Sequence, residues 1–275
     1  IALSYEVTKE DHIFFEKISR EISAQGPLNS WPANIPPPRE LAADPIRIRR
    51  DFSFRKIAEA ARASNSLILR QELCEVLTIG LSDTEPTTVQ AVVGHLSLLA
   101  PRDFNDQSKA VIQKHLSNVF LGDEIKLAGK VGRDIYGEKI SKIAKNPSPA
   151  FVGEYDKKLI AALCVMAYWG DLPSFDRLTR EIGELPQGQR FFGAIQRLEY
   201  VFNEVGIKYF IGILESDETL DKDVAKRELD MSDPVPVARF AMPVLSRMIR
   251  NFPVTPPTGF SEWCFGSNEE IEKCR

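Results

Sequence analysis

The sequence predicts an all-α protein, built as a two-lobed helical bundle with extended proline-rich terminal arms. Apolar residues recur at steps of three and four, as in Phe191, Ile195, Leu198, Phe202 and Val205, which is the spacing of one helix face. Capping residues precede such runs and glycines follow them. Eleven of the 18 prolines fall in three segments that separate the helical parts of the chain.

Helices are predicted wherever an apolar run is bounded by start and stop signals. Thr84, Glu85 and Pro86, for example, occupy the positions of an N-cap, a first-turn acid and an N1 proline. Segment 207–214 is rich in aromatic and β-branched residues, and a strand or a short helix fits it equally well. The predicted helices are 8–24, 53–63, 66–80, 85–99, 106–121, 123–132, 137–145, 155–169, 174–184, 188–205, 217–229 and 235–250.

The three proline-rich segments predict the domain organisation. Segment 26–45 has a proline density that favours an extended, polyproline-like path over a surface. Segment 146–153 predicts a hinge, and 252–257 releases a C-terminal tail. The predicted domains are an N-terminal helix with its proline-rich arm (1–45), a first helical lobe (46–147), a second lobe (148–250) and a C-terminal tail (251–275).

A HEAT- or armadillo-like helical solenoid is the alternative architecture. Helix pairs at 66–99, 106–145 and 155–184 recur with the spacing of about 40–50 residues that such repeats show. The pairs share no Pro, Asp or Arg at matching positions, so the two-lobed bundle is the preferred prediction.

Composition limits the class of protein. With 43% hydrophobic and 27% charged residues, the chain is unlike collagen, disordered or disulfide-scaffold sequences. Its four cysteines form no Cys-x-x-Cys pair, and no signal peptide is visible, so we expect an intracellular protein, cytoplasmic or nuclear. The longest apolar run, 159–169, is shorter than the roughly 20 residues of a membrane span, so no membrane partner is predicted.

The sequence contains no recognisable catalytic or cofactor motif. Its three histidines, His12, His95 and His115, lie near neither a nucleophile turn nor a His-Glu-x-x-His helix. Cysteine and histidine are too scattered for zinc, and no phosphate-binding loop is present. We therefore predict a non-enzymatic protein with no catalytic residue, metal or cofactor, and keep an all-α enzyme as the least favoured alternative.

Charge is distributed unevenly along the chain. Residues 1–147 carry 20 basic against 19 acidic side chains, whereas 148–275 carry 15 against 20. Two basic strips stand out in the first part of the chain: the first strip is Arg47, Arg49, Arg50, Arg55 and Lys56, and the second strip is Lys126, Lys130, Arg133, Lys139, Lys142 and Lys145. Lys126, Lys130 and Arg133 share a face if their helix continues that far. Positioned Lys and Arg hold nucleic-acid backbones. The candidate phosphate-contacting residues are Arg47, Arg49, Arg50, Arg55, Lys56, Lys126, Lys130, Arg133, Lys139 and Lys142.

Two strips beside a hinge between lobes predict a basic groove for single-stranded nucleic acid, with self-association through the terminal arms. This organisation resembles viral nucleoprotein architecture, although no motif of such a family is present. The alternative is a HEAT-like adaptor that binds another protein, with the acidic stretch 215–233 as a candidate partner surface.

Segment 54–101, with Phe54-Arg55-Lys56-Ile57 and Leu96-Ser97-Leu98-Leu99-Ala100-Pro101, resembles the helical DNA-binding region of ATP-dependent DNA ligases in apolar helix residues alone, and no function is carried over from it.

Overall fold

A computed structural model of the chain describes residues 7–23, 28–145, 154–229, 233–249, 252–253 and 268–275. It is 74% helical, with almost no strand, which confirms the predicted all-α class. The α-helices are α1 (Lys9–Ser23), α2 (Pro38–Ala42), α3 (Arg47–Ala63), α4 (Leu67–Ile79), α5 (Pro86–Ser97), α6 (Asp106–Asn118), α7 (Gly122–Val131), α8 (Arg133–Lys145), α9 (Glu154–Tyr168), α10 (Leu172–Gly183), α11 (Gln187–Leu198), α12 (Glu204–Leu214), α13 (Lys222–Leu229), α14 (Ala238–Met248) and α15 (Asn268–Cys274).

The chain divides into two compact units, 1–137 and 138–275, and the division falls within the continuous helix α8. The predicted hinge at 146–153 lies outside the described residues, so the boundary at 147 stays a prediction. No helix among the described residues is long and apolar enough to cross a lipid bilayer.

Unit 1 is organised around α3. This helix packs against α1, α2, α4 and α5, while α5 also packs against α7 and α4 against α6. Its second half carries Ala58, Ala60 and Ala61, all fully buried, and these small side chains let neighbouring helices approach closely. Phe54 and Ile57 on the same helix fill the core between them. Burial of this alanine-rich face fixes α3 at the centre of the unit.

The proline-rich N-terminal segment differs from the extended path predicted for it. Pro38 begins the short helix α2, because proline is tolerated in a first helical turn. Leu28, Ile35 and Leu41 are each at most 5% exposed, and α2 packs against α3 and α4. The described part of this segment therefore belongs to the core of unit 1.

Unit 2 is a connected set of packed helices. α9 packs against α10 and α11, α12 packs against α14, and α11 links the two by packing against α14 and α13. A two-residue antiparallel pair joins β1 (Thr219–Leu220) to β2 (Val235–Pro236). The short helix α15 packs on α14, buries Ile271, and its neighbour Arg275 donates from Nε to the Leu214 carbonyl oxygen at 3.0 Å.

The predicted helix 188–205 is wrong, since the structure divides it. α11 ends at Leu198, and α12 begins only at Glu204. Asn203 supplies the break, because its side-chain oxygen accepts from the backbone N–H groups of Val205 and Gly206 and so caps a new helix. The ambiguous segment 207–214 is helical and lies within α12.

Candidate nucleic-acid interface

Arg49 and Arg50 of the first predicted strip are engaged inside unit 1. Arg49 donates from Nε to Asp11 Oδ1 at 2.6 Å, and Arg50 donates from Nε to Asp83 Oδ2 at 2.7 Å. Asp11 is fully buried and also accepts from the Thr8 hydroxyl and backbone N–H. The Thr8 hydrogen bonds, reinforced by Arg49, hold the pKa of Asp11 well below its usual range. These two guanidinium groups thus join α3 to its neighbours.

The other three cations of the first strip, Arg47, Arg55 and Lys56, are paired as well. Glu59 accepts from Arg55 Nε at 2.9 Å and from Lys56 Nζ at 2.7 Å. Burial raises the pKa of Glu59, yet the two cations more than offset this and hold it below its usual value. Arg47 lies 3.4 Å from Asp51 and 3.6 Å from Glu85. The structure therefore uses the first strip to neutralise carboxylates of its own unit.

The second predicted strip is interrupted by a helix break. α7 ends at Val131 and α8 begins at Arg133, with Gly132 at φ −169° between them. Lys126 and Lys130 therefore lie on a different helix from Arg133, and the predicted continuous face does not form. The break arises because Gly132 takes an extended φ that is incompatible with helix continuation.

Lys130 and Lys126 are poorly placed to meet a phosphate. Lys130 is 7% exposed, and burial lowers its pKa to about 7. Lys126 lies 3.1 Å from Asp123, with 19% of its side chain exposed. Sequence spacing alone could not show that these two lysines are largely buried, because the pattern of apolar neighbours around them is the same as around an exposed lysine.

The cations of α8 face solvent. Arg133, Lys139, Lys142 and Lys145 are all exposed. The three lysines lie on the side of the helix away from Ile140 and Ala144, which are buried, whereas Arg133 lies in the first turn on the same side as Ile140. A step of three residues turns 300° around a helix, which is about 60° short of a full turn. Lys139, Lys142 and Lys145 therefore lie on one arc of about 120°. Lys142 pairs with Glu138 at 2.8 Å, but both side chains are more than three-quarters exposed, so solvent screens the pair.

An aromatic pair lies at the start of the same helix. The rings of Phe120, in the α6–α7 connection, and Tyr136 on α8 are stacked, with centroids 5.8 Å apart and an interplanar angle of 30°. Sequence reasoning did not identify Phe120 as a partner of Tyr136. Phe120 lies in a loop and contacts a helix that is not adjacent along the chain, and such a contact produces no periodic pattern in the sequence.

Histidine and cysteine side chains are dispersed through the described part of the chain. No group of three or more His, Cys, Asp or Glu side chains among them lies close enough to hold a metal ion. Burial lowers the pKa of His95 to about 4, with the Arg62 charge adding to the effect. Cys74, Cys164 and Cys274 are not joined by a disulfide, and Cys264 lies outside the described residues.

The acidic segment after α12 is a solvent-facing helix start. Asp221 accepts from the backbone N–H of Val224 and caps α13, as expected for acids near a positive helix end. Glu215, Asp217, Glu218 and Asp223 are exposed, and Asp217 lies 3.1 Å from Arg275.

Comparison with known proteins adds no assignment: no family model, curated protein or solved structure matches this chain.

Proposed function

We propose that the chain is a non-enzymatic α-helical binding protein that holds a single-stranded nucleic-acid backbone on the lysine face of α8, meaning Lys139, Lys142 and Lys145. The observation that carries this proposal is that these three cations are exposed to solvent on one arc of a single helix, opposite the buried Ile140 and Ala144. Backbone phosphates are bound by positioned, solvent-accessible cations.

The overall charge of −4 does not oppose this proposal. Within α8, four exposed cations stand against two exposed acids, Asp134 and Glu138. Screening limits the reach of distant acids to about 8 Å at physiological salt, so the local field governs the encounter with a phosphate. A groove between two lobes and self-association through the terminal arms stay predictions of the sequence.

The test is fluorescence anisotropy with a fluorescein-labelled 20-mer of uridine. For three phosphate contacts, we expect affinity to fall about 20-fold between 50 and 200 mM salt, since each contact adds about 0.7 to the logarithmic slope. The triple variant Lys139→Gln, Lys142→Gln, Lys145→Gln should lower that slope by about 2.

A matched control carries the same change of charge elsewhere in unit 2. Lys157, Lys222 and Lys226 are also exposed, on α9 and α13, and their replacement by Gln removes three charges without touching α8. The control should retain the wild-type slope. Loss of binding in the control equal to that of the α8 variant, or a wild-type chain that does not bind the 20-mer, would overturn the proposal.

A HEAT-like adaptor is the second candidate function. It is favoured by the packing order in unit 1, where helices two apart along the chain are neighbours: α3 with α5, α5 with α7, and α4 with α6. Stacked helix pairs have such an order. The discriminating result is the absence of any nucleic-acid affinity together with an elongated, curved particle in small-angle X-ray scattering.

A further inference from the structure

Two packed helices of unit 2, α11 and α14, contain arginine but neither Asp nor Glu. α11 carries Arg190 and Arg197, and α14 carries Arg239 and Arg247. The surrounding part of the chain is acidic, with 20 acidic against 15 basic side chains in 148–275. These two helices therefore form a basic region inside an acidic part of the molecule.

Arg190 and Arg239 lack the carboxylate partners that other arginines of the chain have. The Nε atom of each is buried and finds no hydrogen-bond acceptor among the described residues. Of the four buried side-chain atoms of this kind in the described part of the chain, three are guanidinium nitrogens of α11 and α14. The third belongs to Arg197, whose Nη1 lies 3.6 Å from Glu181. A charged group with an unsatisfied buried donor costs free energy, and an anion supplied from outside the chain would offset that cost.

A ring contact brings the first turns of the two helices together. Phe191 on α11 and Phe240 on α14 are stacked, with centroids 5.6 Å apart and an interplanar angle of 19°. Arg190 and Arg239 each directly precede one of these rings, so the two arginines leave neighbouring parts of the backbone. Both are half-buried, and the part of each that remains in solvent is open to a ligand.

Tyr209 on α12 adds a hydroxyl donor beside Arg190. Burial raises the pKa of Tyr209, and the positive charge of Arg190 opposes part of that rise. The guanidinium group is therefore close enough to act on the phenol. Two guanidinium groups and a hydroxyl all donate hydrogen bonds, which suits a ligand made of acceptor oxygens.

We propose that Arg190 and Arg239 together bind one phosphate group, either the free ion or a phosphomonoester. Two guanidinium groups without acids require two negative charges, which a phosphate dianion supplies and a single carboxylate does not. The planar donor forks of arginine also match pairs of phosphate oxygens. This inference does not depend on the proposed function, because it uses other helices than α8.

Isothermal titration calorimetry of the whole chain tests the proposal. Inorganic phosphate and glycerol 3-phosphate are titrated separately at constant ionic strength in chloride, at about pH 8, where both are largely dianions. We expect one ligand per chain. Arg190→Met and Arg239→Met should each weaken binding about tenfold or more, because each removes charge-assisted hydrogen bonds.

Arg180→Met is the matched control. Arg180 is exposed on α10, so its replacement removes the same charge from the same unit. The control should retain the wild-type affinity for phosphate. Equal weakening in the control and in the two other variants would overturn the proposal, since only the total charge would then matter.

Thermal stability gives a second readout. Methionine keeps an apolar stem and removes an unsatisfied donor, so in chloride Arg190→Met and Arg239→Met should have a Tm equal to or above that of the wild type. Phosphate should raise Tm of the wild type and of the control, but not of these two variants. A large loss of Tm in chloride would show that the two arginines support the fold instead, and would overturn the proposal.

The remaining outcomes concern the ligand. Binding of both compounds supports a site for the free ion, and binding of glycerol 3-phosphate alone supports a site for an ester; binding of neither overturns the proposal. Equally tight binding of hexaglutamate, lost in the same two variants, would assign the site to an acidic polypeptide and overturn the inference. Affinity for the uridine 20-mer should be unchanged in both variants, and a fall would assign these arginines to nucleic acid and likewise overturn it.

Discussion

Two glycines in α12 provide a sharp test of packing in unit 2. A Cβ on Gly206 would lie 2.0 Å from the Val201 carbonyl oxygen, whereas a Cβ on Gly212 would meet nothing within 4 Å. Gly206 is buried and Gly212 is exposed on the same helix. The same substitution, glycine to alanine, should therefore change stability in opposite directions at positions six residues apart.

The expected magnitudes follow from the two environments. Real Cβ contacts are essentially never shorter than 3.0 Å, and the obstacle at Gly206 is backbone, which cannot rotate away as a side chain can. Overpacking of this kind costs about 1–3 kcal/mol and sometimes more, so we expect Gly206→Ala to destabilise unit 2 by about 3 kcal/mol. At Gly212, alanine should stabilise the helix by about 0.5–1 kcal/mol, because it restricts the unfolded chain.

Thermal unfolding followed by circular dichroism at 222 nm measures both changes. With about 2–4 °C per kcal/mol, Gly206→Ala should lower Tm by about 6–12 °C, and Gly212→Ala should raise it by about 1–4 °C. Shifts of the same sign and size in the two variants would refute the reasoning, since both carry the same glycine-to-alanine change on one helix and only Gly206→Ala places a Cβ against the Val201 backbone.

Three further predictions concern other parts of the chain. The buried Asp11 carboxylate has a lowered pKa, so its contribution to stability is present above the usual pKa of aspartate and is lost as pH falls through the folded value. Below pH 4, Tm of the wild-type chain should therefore fall more steeply with pH than Tm of Asp11→Asn. Parallel Tm curves for the two chains would contradict this. Lys130 has a pKa of about 7 when folded, so the unfolded chain binds more protons between pH 7 and 10, and wild-type stability relative to Lys130→Met should rise across that range in urea titrations. A stability difference between the two chains that does not change with pH would contradict the buried position of the Lys130 amine. Gly170 has φ +94° at the end of α9, so Gly170→Ala should cost about 1 kcal/mol in urea unfolding, whereas Gly183→Ala, at an unobstructed position, should not.

Local signals in the sequence predicted most helices to within a few residues. The run that starts at Pro86 begins α5 as expected, and Gly170 ends the region of α9 in a left-handed conformation that favours glycine. The prediction failed at 188–205, because periodicity persists across Asn203 although its side chain starts a new helix. A capping residue inside an apolar pattern is visible only once its hydrogen bonds are known.

The candidate interface could be predicted only in part. Spacing identified the cations of α8, and these are exposed. It also selected Arg49 and Arg50, whose carboxylate partners lie 38 and 33 residues away along the chain. Pairing across such separations depends on which helices become neighbours, and sequence spacing within one helix contains no information on that.

By itself, the sequence determined the all-α class and the approximate positions of most helices, because helix propensity, capping and periodicity act over a few residues. Only the tertiary structure decided which cations are buried and which face solvent. Packing around α3 brought carboxylates to Arg49 and Arg50, buried Lys130, and placed Phe120 against Tyr136. The environment of a charged or aromatic side chain depends on the residues that pack against it, and here those residues are distant along the chain.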